Sequence, residues 1–416
     1  MLSRVNCFRK HSSSLFDLLF IIAIALSLSS TSNKSSLASE SKSVISFGDV
    51  KCCSLYYKSC HLAASMLDHF RQDGISWESI SNYKKDKYLV INPKGKYIRI
   101  VNKAGKSTHG GWFNNNDEKL FYNLFFHNNN HDFNLPYIIL PFNSDDFPVN
   151  KKHPFFAILS FCRYDNKPID ILWPGFQHPF PFIRETFNET RWRAKKNMAW
   201  FRGALNYGFL KGRYTIVNES QSIPHLVDAR VTSWNHLLND SINKYNLSSK
   251  RFPMEEAVQS FRYMLVIDGN CDSLRLQELL GRNVAIIKPI SIGDTQWFSS
   301  MLKPWVHFIP VSLNPVLPNL SLARSDIKHF RKIKQQSNIQ QVMVWASAHE
   351  EEVLRIIRNA HEFAEEYISL PAIRCYIEKL LHDISRLYTF DAKAKVAEIS
   401  LSSQKSLRDI QLKRTK

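Results

Sequence analysis

The sequence lacks the glycine-rich loops that announce most nucleotide sites. It has 13 glycines in 416 residues. None falls into G-x-G-x-x-G or G-x-x-x-x-G-K-[ST], so the usual signatures of dinucleotide and P-loop binding are missing. Zinc-finger, RNP and homeodomain patterns are missing too, and no internal repeat is present. Acidic residues are in short supply: 37 Asp and Glu stand against 55 Lys and Arg, a net charge of +18. That excess calls for an anionic partner such as a glycan, a membrane surface, a sugar nucleotide or nucleic acid. The basic residues are spread out, densest at 184–213 and 405–416 and without a recognition motif, so direct nucleic-acid binding is not expected. Disorder is excluded as well, because 44% of the residues are hydrophobic.

A long apolar run is also lacking. Leu18 to Leu28 is the longest run near the start, short of the roughly 20 residues that span a bilayer. Arg4, Arg9 and Lys10 precede it and a Ser-rich stretch follows, the order of a secretory signal. No A-x-A cleavage site is evident, so a short signal-anchor is the alternative. Entry into an oxidising lumen suits the cysteines. Beyond Cys7 there are six, Cys52, Cys53, Cys60, Cys162, Cys271 and Cys375, an even number that could form bridges. Their spacing fits no zinc site. N-x-[ST] sequons stand at Asn33, Asn188, Asn218, Asn239, Asn246 and Asn319.

The most informative stretch is RYMLVIDGNCDSLRLQELLGRNVAIIKP, residues 262–289. Tyr263 to Ile267 is a continuous apolar strand, and Asp268-Gly269-Asn270 has turn chemistry. Leu274, Leu276, Leu279 and Leu280 form a helical stripe, with Asp272 or Ser273 as its cap and Gly281 as its stop. Val284 to Ile287 is the next buried strand. Such a βαβ unit turns its helix N-terminus towards the carboxyl end of a parallel sheet, where anions are held. Ser273 adds a hydroxyl there and Arg275 a cation.

Helical spacing is expected over Cys52 to Phe70, Asp117 to His127, Arg191 to Lys196 and most of 322–390. Strands are expected at Tyr88 to Ile91, Tyr97 to Val101, Pro136 to Pro141, Phe155 to Phe161, Met198 to Phe201, Leu226 to Ala229 and Val306 to Val311, with a loop opening at Asp170 to Pro174. Strands alternating with helices in two blocks imply two α/β domains facing a cleft.

These stretches carry a resemblance. AWFRGA (199–204), LVDA (226–229), RYMLVIDGNCDSLRLQELLGRNVAIIK (262–288), LKPWVHFIPV (302–311) and CYIEKLL (375–381) are similar to the CAP10-like glycosyltransferases, the family containing the protein O-glucosyltransferases of the endoplasmic reticulum. CH with LDHFRQDGI (60–75), NSDDFP (143–148) and DILWP (170–174) match more weakly. The matches are collinear over most of 60–390. The resemblance implies a GT-B-like fold of two Rossmann-like domains facing a cleft, with C-terminal helices packing back on the first domain. The divisions are 1–30 signal or anchor, 31–50 linker, 51–196 acceptor domain, 197–370 UDP-sugar domain and 371–416 C-terminal helices with a basic tail. It also implies a bridge from Cys375 to Cys52, Cys53 or Cys60.

The activity implied is inverting, metal-independent transfer of glucose or xylose from UDP-glucose or UDP-xylose to a protein or glycan hydroxyl, with no cofactor, in the endoplasmic reticulum or Golgi. A metal-free enzyme neutralises the departing diphosphate with arginines and N–H donors, and the absence of D-x-D favours that route. By resemblance Arg202 and Arg275 contact the diphosphate and Ser273 adds a donor; for Arg202 the competing reading is an ion pair with a carboxylate. Inversion needs a base for the acceptor hydroxyl, and the family's Asp before an aromatic-Pro pair lands on Asp146. Asp145 stands where the family often has a basic residue. The aromatic segment after DILWP reads GFQHPFPFIRE. Phe176, Phe180 and Phe182 persist there, the pattern departs from the family's, and His178 reads as a structural or exposed residue. Two other functions compete: an inactive relative that binds a glycan or protein, and a basic polyanion-binding protein.

Overall fold

The computed structural model describes residues 51–82, 88–94, 97–101, 135–143, 158–160, 163–164, 170–174, 184–204, 212–232, 252–269, 273, 275–290, 294–314 and 335–399. The apolar run at 18–28, the helix expected at 117–127, Asp145, Asp146, the segment 175–183, Cys162 and Cys271 lie outside these residues.

The chain opens with helix α1, Tyr57–Ser65, and the short α2, Trp77–Ser81, capped by the Ser76 hydroxyl. The helix expected over Cys52 to Phe70 is thus shorter, with single 3-10 turns on either side at Lys51–Ser54 and Asp68–Phe70. Strands β1, Tyr88–Asn92, β2, Tyr97–Val101, and β3, Ile138–Asn143, form an antiparallel ribbon ordered β2-β1-β3. β4, Ile158–Ser160, pairs in parallel with β3. After the two-residue β5, Arg163–Tyr164, comes β6, Asp170–Leu172, parallel to β4. DILWP therefore starts as a buried strand, not the expected loop, because Ile171, Leu172 and Trp173 are all buried.

Helix α3, Glu189–Arg193, is capped by the Asn188 side chain, which accepts the Arg191 N–H at 2.8 Å. β7, Lys196–Gly203, α4, Arg213–Ser220, β8, Val227–Val231, α5, Met254–Ser260, β9, Phe261–Leu265, α6, Arg275–Leu279, and β10, Ala285–Pro289, follow. β11, Asp294–Thr295, pairs with β5. β12, Ile309–Val311, completes a five-stranded, all-parallel sheet ordered β12-β10-β9-β7-β8. Side chains alternate along its strands, as a sheet covered on both faces requires. Tyr263, Leu265, Ala285 and Ile287 enter one core, and Met264, Val266 and Ile286 the other.

β13, Leu313–Asn314, pairs with β14, Gln336–Ser337. Helix α7, Ile339–Ala348, precedes α8, Glu350–Phe363, whose Val353, Ile356, Ile357 and Ala360 are buried as their spacing predicts. One π-turn, Ala364–Ile368, ends at Ser369, whose hydroxyl accepts the Ala372 N–H. Pro371 stands in the first turn of α9, Leu370–Leu387, where its missing N–H costs nothing.

Helix α9 packs back on the N-terminal region. Cys375 bridges Cys52, one of the three expected partners, and a second bridge joins Cys53 to Cys60. The Tyr376 hydroxyl donates to the Leu172 carbonyl at 2.8 Å. Just past the helix, the Tyr388 hydroxyl donates to the Ile139 carbonyl at 2.8 Å and accepts the Ile139 N–H at 3.2 Å. No helix among the described residues is long and apolar enough to cross a membrane.

Candidate active site

The carboxyl ends of the parallel strands gather the charged side chains. β7 runs out through Phe201, Arg202 and Gly203. Its register sets Trp200 beside Asp228 and Arg202 beside Arg230 on β8. The Arg202 guanidinium donates Nη2 to Asp228 Oδ2 at 2.7 Å and Nη1 to the carbonyls of Phe201 and Asp228, both at 2.8 Å. Its Nε is buried and has no partner. Asp228 also accepts Arg230 Nε at 2.9 Å. Burial pushes the Asp228 carboxyl up, but the bonds and charges of Arg202 and Arg230 outweigh it and hold the group below its ordinary value. The expected competing reading for Arg202, an ion pair, is therefore what its guanidinium makes here, with Nε left over.

Arg275 opens α6 and donates Nη2 to the Arg202 carbonyl at 2.9 Å. Burial first, and then the like charge of Arg213, lower it to about 10. It still carries its proton at neutral pH. Arg213, the first residue of α4, donates Nη1 to the Ala204 carbonyl at 2.7 Å, and Nε and Nη2 to the Ile267 carbonyl at 3.2 and 3.1 Å. It thereby ties the end of β7 to the end of β9. Both guanidiniums lie against the Phe201 ring, Arg275 at 5.5 Å and Arg213 at 5.8 Å from its centroid, a favourable placement for cations. Gly269 lies against Arg213: a Cβ there would come within 3.0 Å of Nη2.

Ser273 stands two residues before Arg275. Its N–H is accepted by Asp268 Oδ1 at 3.1 Å, and its carbonyl accepts Gln296 Nε2 at 3.0 Å. Asp268 Oδ2 takes Lys288 Nζ at 2.6 Å. Asp268, read from the sequence as a turn residue, thus fixes the Ser273 N–H ahead of α6, while the Ser273 carbonyl also accepts the Leu276 N–H at 2.9 Å; Asp272 lies outside the described residues. Helix α6 has five residues, so its dipole is weak and the expected helix-terminus contribution to anion binding is small. The cationic side chains carry the field instead: Arg202, Arg213, Arg230, Arg275 and Lys288 stand with Asp228, Asp268 and Glu278.

Arg202, Ser273 and Arg275, chosen from the sequence, thus come together at one sheet edge. Arg213, Asp228, Asp268 and Lys288 were missed as site residues. Arg213 follows a stretch without periodicity, and nothing local marks it. Asp268 and Lys288 did leave a signal, since each is a charge at the carboxyl end of a buried apolar strand. Among the described residues no three His, Cys, Asp or Glu side chains stand together as metal ligands.

Residues 49–414 match the family described as Glycosyl transferase family 90. The chain belongs to that family. Protein O-glucosyltransferase 2 of Danio rerio is 23% identical over 383 residues, 82% of this chain and 69% of that protein. The O-glucosyltransferase rumi homolog of Aedes aegypti is 24% identical over 62% of this chain and 64% of its own. Protein O-glucosyltransferase 1 of Mus musculus is 25% identical over 48% of this chain and 44% of its own. The chain therefore spans from under half to about two thirds of the length of these relatives. The family 90 match takes in every charged residue of the site, from Arg202 to Lys288.

Proposed function

We propose that this member of family 90 is an inverting, metal-independent glycosyltransferase that moves glucose or xylose from a UDP-sugar to a hydroxyl of a protein or glycan. The observation that carries the proposal is the convergence of Arg202, Ser273 and Arg275 at the carboxyl edge of a parallel sheet, the edge at which open α/β sheets take their ligands. A departing diphosphate concentrates negative charge, and fixed arginines held away from bulk water stabilise it without reorganising. Arg275 offers a half-buried cation. The partnerless Nε of Arg202 offers a donor beside it.

In this reading residues 197–370 bind the donor, 51–196 bind the acceptor, and 371–416 form the C-terminal helices and basic tail. Asp146 takes the proton from the acceptor hydroxyl as that oxygen attacks the anomeric carbon from the face opposite the leaving UDP. The two disulfides suit an oxidising lumen, endoplasmic reticulum or Golgi, and the low identity to the O-glucosyltransferases leaves glucose and xylose both in play. One observation favours a second reading: Asp228 already engages Arg202, as it would in an inactive relative that only binds a glycan or protein.

Purified protein incubated with protein and glycan acceptors and a panel of UDP-sugars separates the two. The proposal expects UDP release with UDP-glucose or UDP-xylose that depends on acceptor. Binding of glycan or protein without release from any donor supports the second reading.

A further inference from the structure

The Ser273 main chain is held from both sides. Its N–H meets Asp268 Oδ1 at 3.1 Å and its carbonyl meets Gln296 Nε2 at 3.0 Å. Asp268 is 2% exposed and its other oxygen is bonded to Lys288 Nζ at 2.6 Å, with the lysine side chain 11% exposed. Both charges sit at carboxyl ends of adjacent parallel strands. Ile287 pairs with Leu265 and the ladder continues from Val266 N–H to the Ile287 carbonyl. The lysine reaches along the strand direction towards the turn after β9.

A buried ion pair adds little stability over an apolar pair of the same volume, because desolvation offsets the attraction. Its distinctive property is direction. Here the carboxylate is fixed by the lysine and in turn fixes an N–H five residues on, at the entrance to the segment that carries Arg275. Gln296, also 2% exposed, comes from a separate part of the chain and completes the grip. Arg275 is then fixed at its far end by the Arg202 carbonyl.

We infer that Asp268, Lys288 and Gln296 are positioning residues of the donor site: together they lock the Ser273 main chain, so that the Ser273 hydroxyl and the Arg275 guanidinium face the diphosphate in one geometry. The inference rests on the donor-site reading above. A loop that must be ordered by the ligand loses affinity by the cost of ordering it, whereas a loop ordered beforehand does not.

The test uses the whole chain, with UDP as probe in calorimetric titrations and amide hydrogen exchange read over residues 266–280. Lys288→Met removes the cation that fixes Asp268. UDP affinity is expected to fall about ten- to a hundredfold, as when a supporting residue lets a site drift, and exchange in the loop to rise without ligand. Lys288→Arg keeps the charge and reach and is expected to recover most of both. A K288M protein with wild-type affinity and unchanged exchange overturns the inference, as does K288R behaving like K288M. If K288M does not fold, Gln296→Leu, which keeps Asp268 and Lys288 in place and removes the Gln296 bond to the Ser273 carbonyl, is read in the same way. If wild-type protein binds no UDP, the donor reading has failed, and the exchange data alone decide: a rise in the variants upholds the lock, and no change refutes it.

Discussion

The two ends of the parallel sheet hold their arginines with different mixes of partners. At the amino end Arg193 meets Glu189 at 3.0 Å, Glu351 at 2.6 Å and also Glu350, Arg262 meets Glu350, and Arg282 meets Glu185 at 3.1 Å and also Glu255. At the carboxyl end the bonds described for Arg213 and Arg275 go to main-chain carbonyls, and Asp228 is shared between Arg202 and Arg230. A carboxylate neutralises a guanidinium. A carbonyl only aims it. The amino end is therefore an ion-paired clasp that joins α3, β9 and α8, whereas among the described residues the carboxyl end holds more cations than carboxylates. Similar residues about one strand-length apart are thus partnered differently, and the proposed recognition belongs to the carboxyl end alone.

The comparison can be broken by substitution at either end. The largest effect is expected from the proposed base: Asp146→Asn should lower transfer by about 10²–10⁴-fold, the usual worth of a positioned base, with UDP affinity little changed. Should Asp145→Asn abolish transfer while D146N stays near wild type, the base is the neighbouring carboxylate. Arg275→Ala and Arg202→Ala are next. Each should cost on the order of 2–4 kcal/mol of transition-state stabilisation and weaken UDP binding while the protein remains folded. Unchanged turnover in both would remove the diphosphate assignment.

At the amino end the expected loss is in stability alone. Glu350→Ala strips Arg193 and Arg262 of a shared, half-buried partner, and should lower stability because the arginines are left without it. A denaturant midpoint lowered together with a wild-type UDP titration is the expected pair of results; loss of UDP binding in a folded E350A protein would erase the distinction between the ends.

A finer probe is Lys195, whose ammonium donates to the Asn283 carbonyl at 2.6 Å. Burial lowers it to about 8 from an ordinary 10.5. Between those values the unfolded chain holds more protons than the folded one, so this residue's contribution makes stability rise with pH. The advantage in melting temperature of Lys195→Met over wild type should shrink from pH 8 to pH 10. A constant offset across that range would show that the lysine is not desolvated.

How far these features could be read from the sequence follows from how local their causes are. The βαβ core was legible because Tyr263 to Ile267 and Val284 to Ile287 are unbroken apolar runs with the buried helical stripe of Leu276, Leu279 and Leu280 between them. Arg275 and Ser273 were legible for the same reason: they sit at a fixed offset from a strand end. The Cys375 bridge was expected from family resemblance, and the structure adds the choice of Cys52. The strand at Asp170–Leu172 was read as a loop because three residues beside a proline give no period, yet parallel pairing with β4 stabilises it. Arg213 was invisible because the carbonyls of Ala204 and Ile267 that it reaches are 9 and 54 residues away. The clamp of Asp228 on Arg202 depends on the β7–β8 register, which sequence alone does not fix.

The carboxyl edge, and not the amino end, is expected to bind a nucleoside diphosphate. Calorimetric titration of UDP into the wild-type chain, R275A and E350A tests it in a single experiment. The account predicts binding to wild type, binding to E350A of similar affinity, and loss in R275A despite a cooperative unfolding transition. Equal UDP affinity in R275A and wild type, or no binding to wild type, would contradict it.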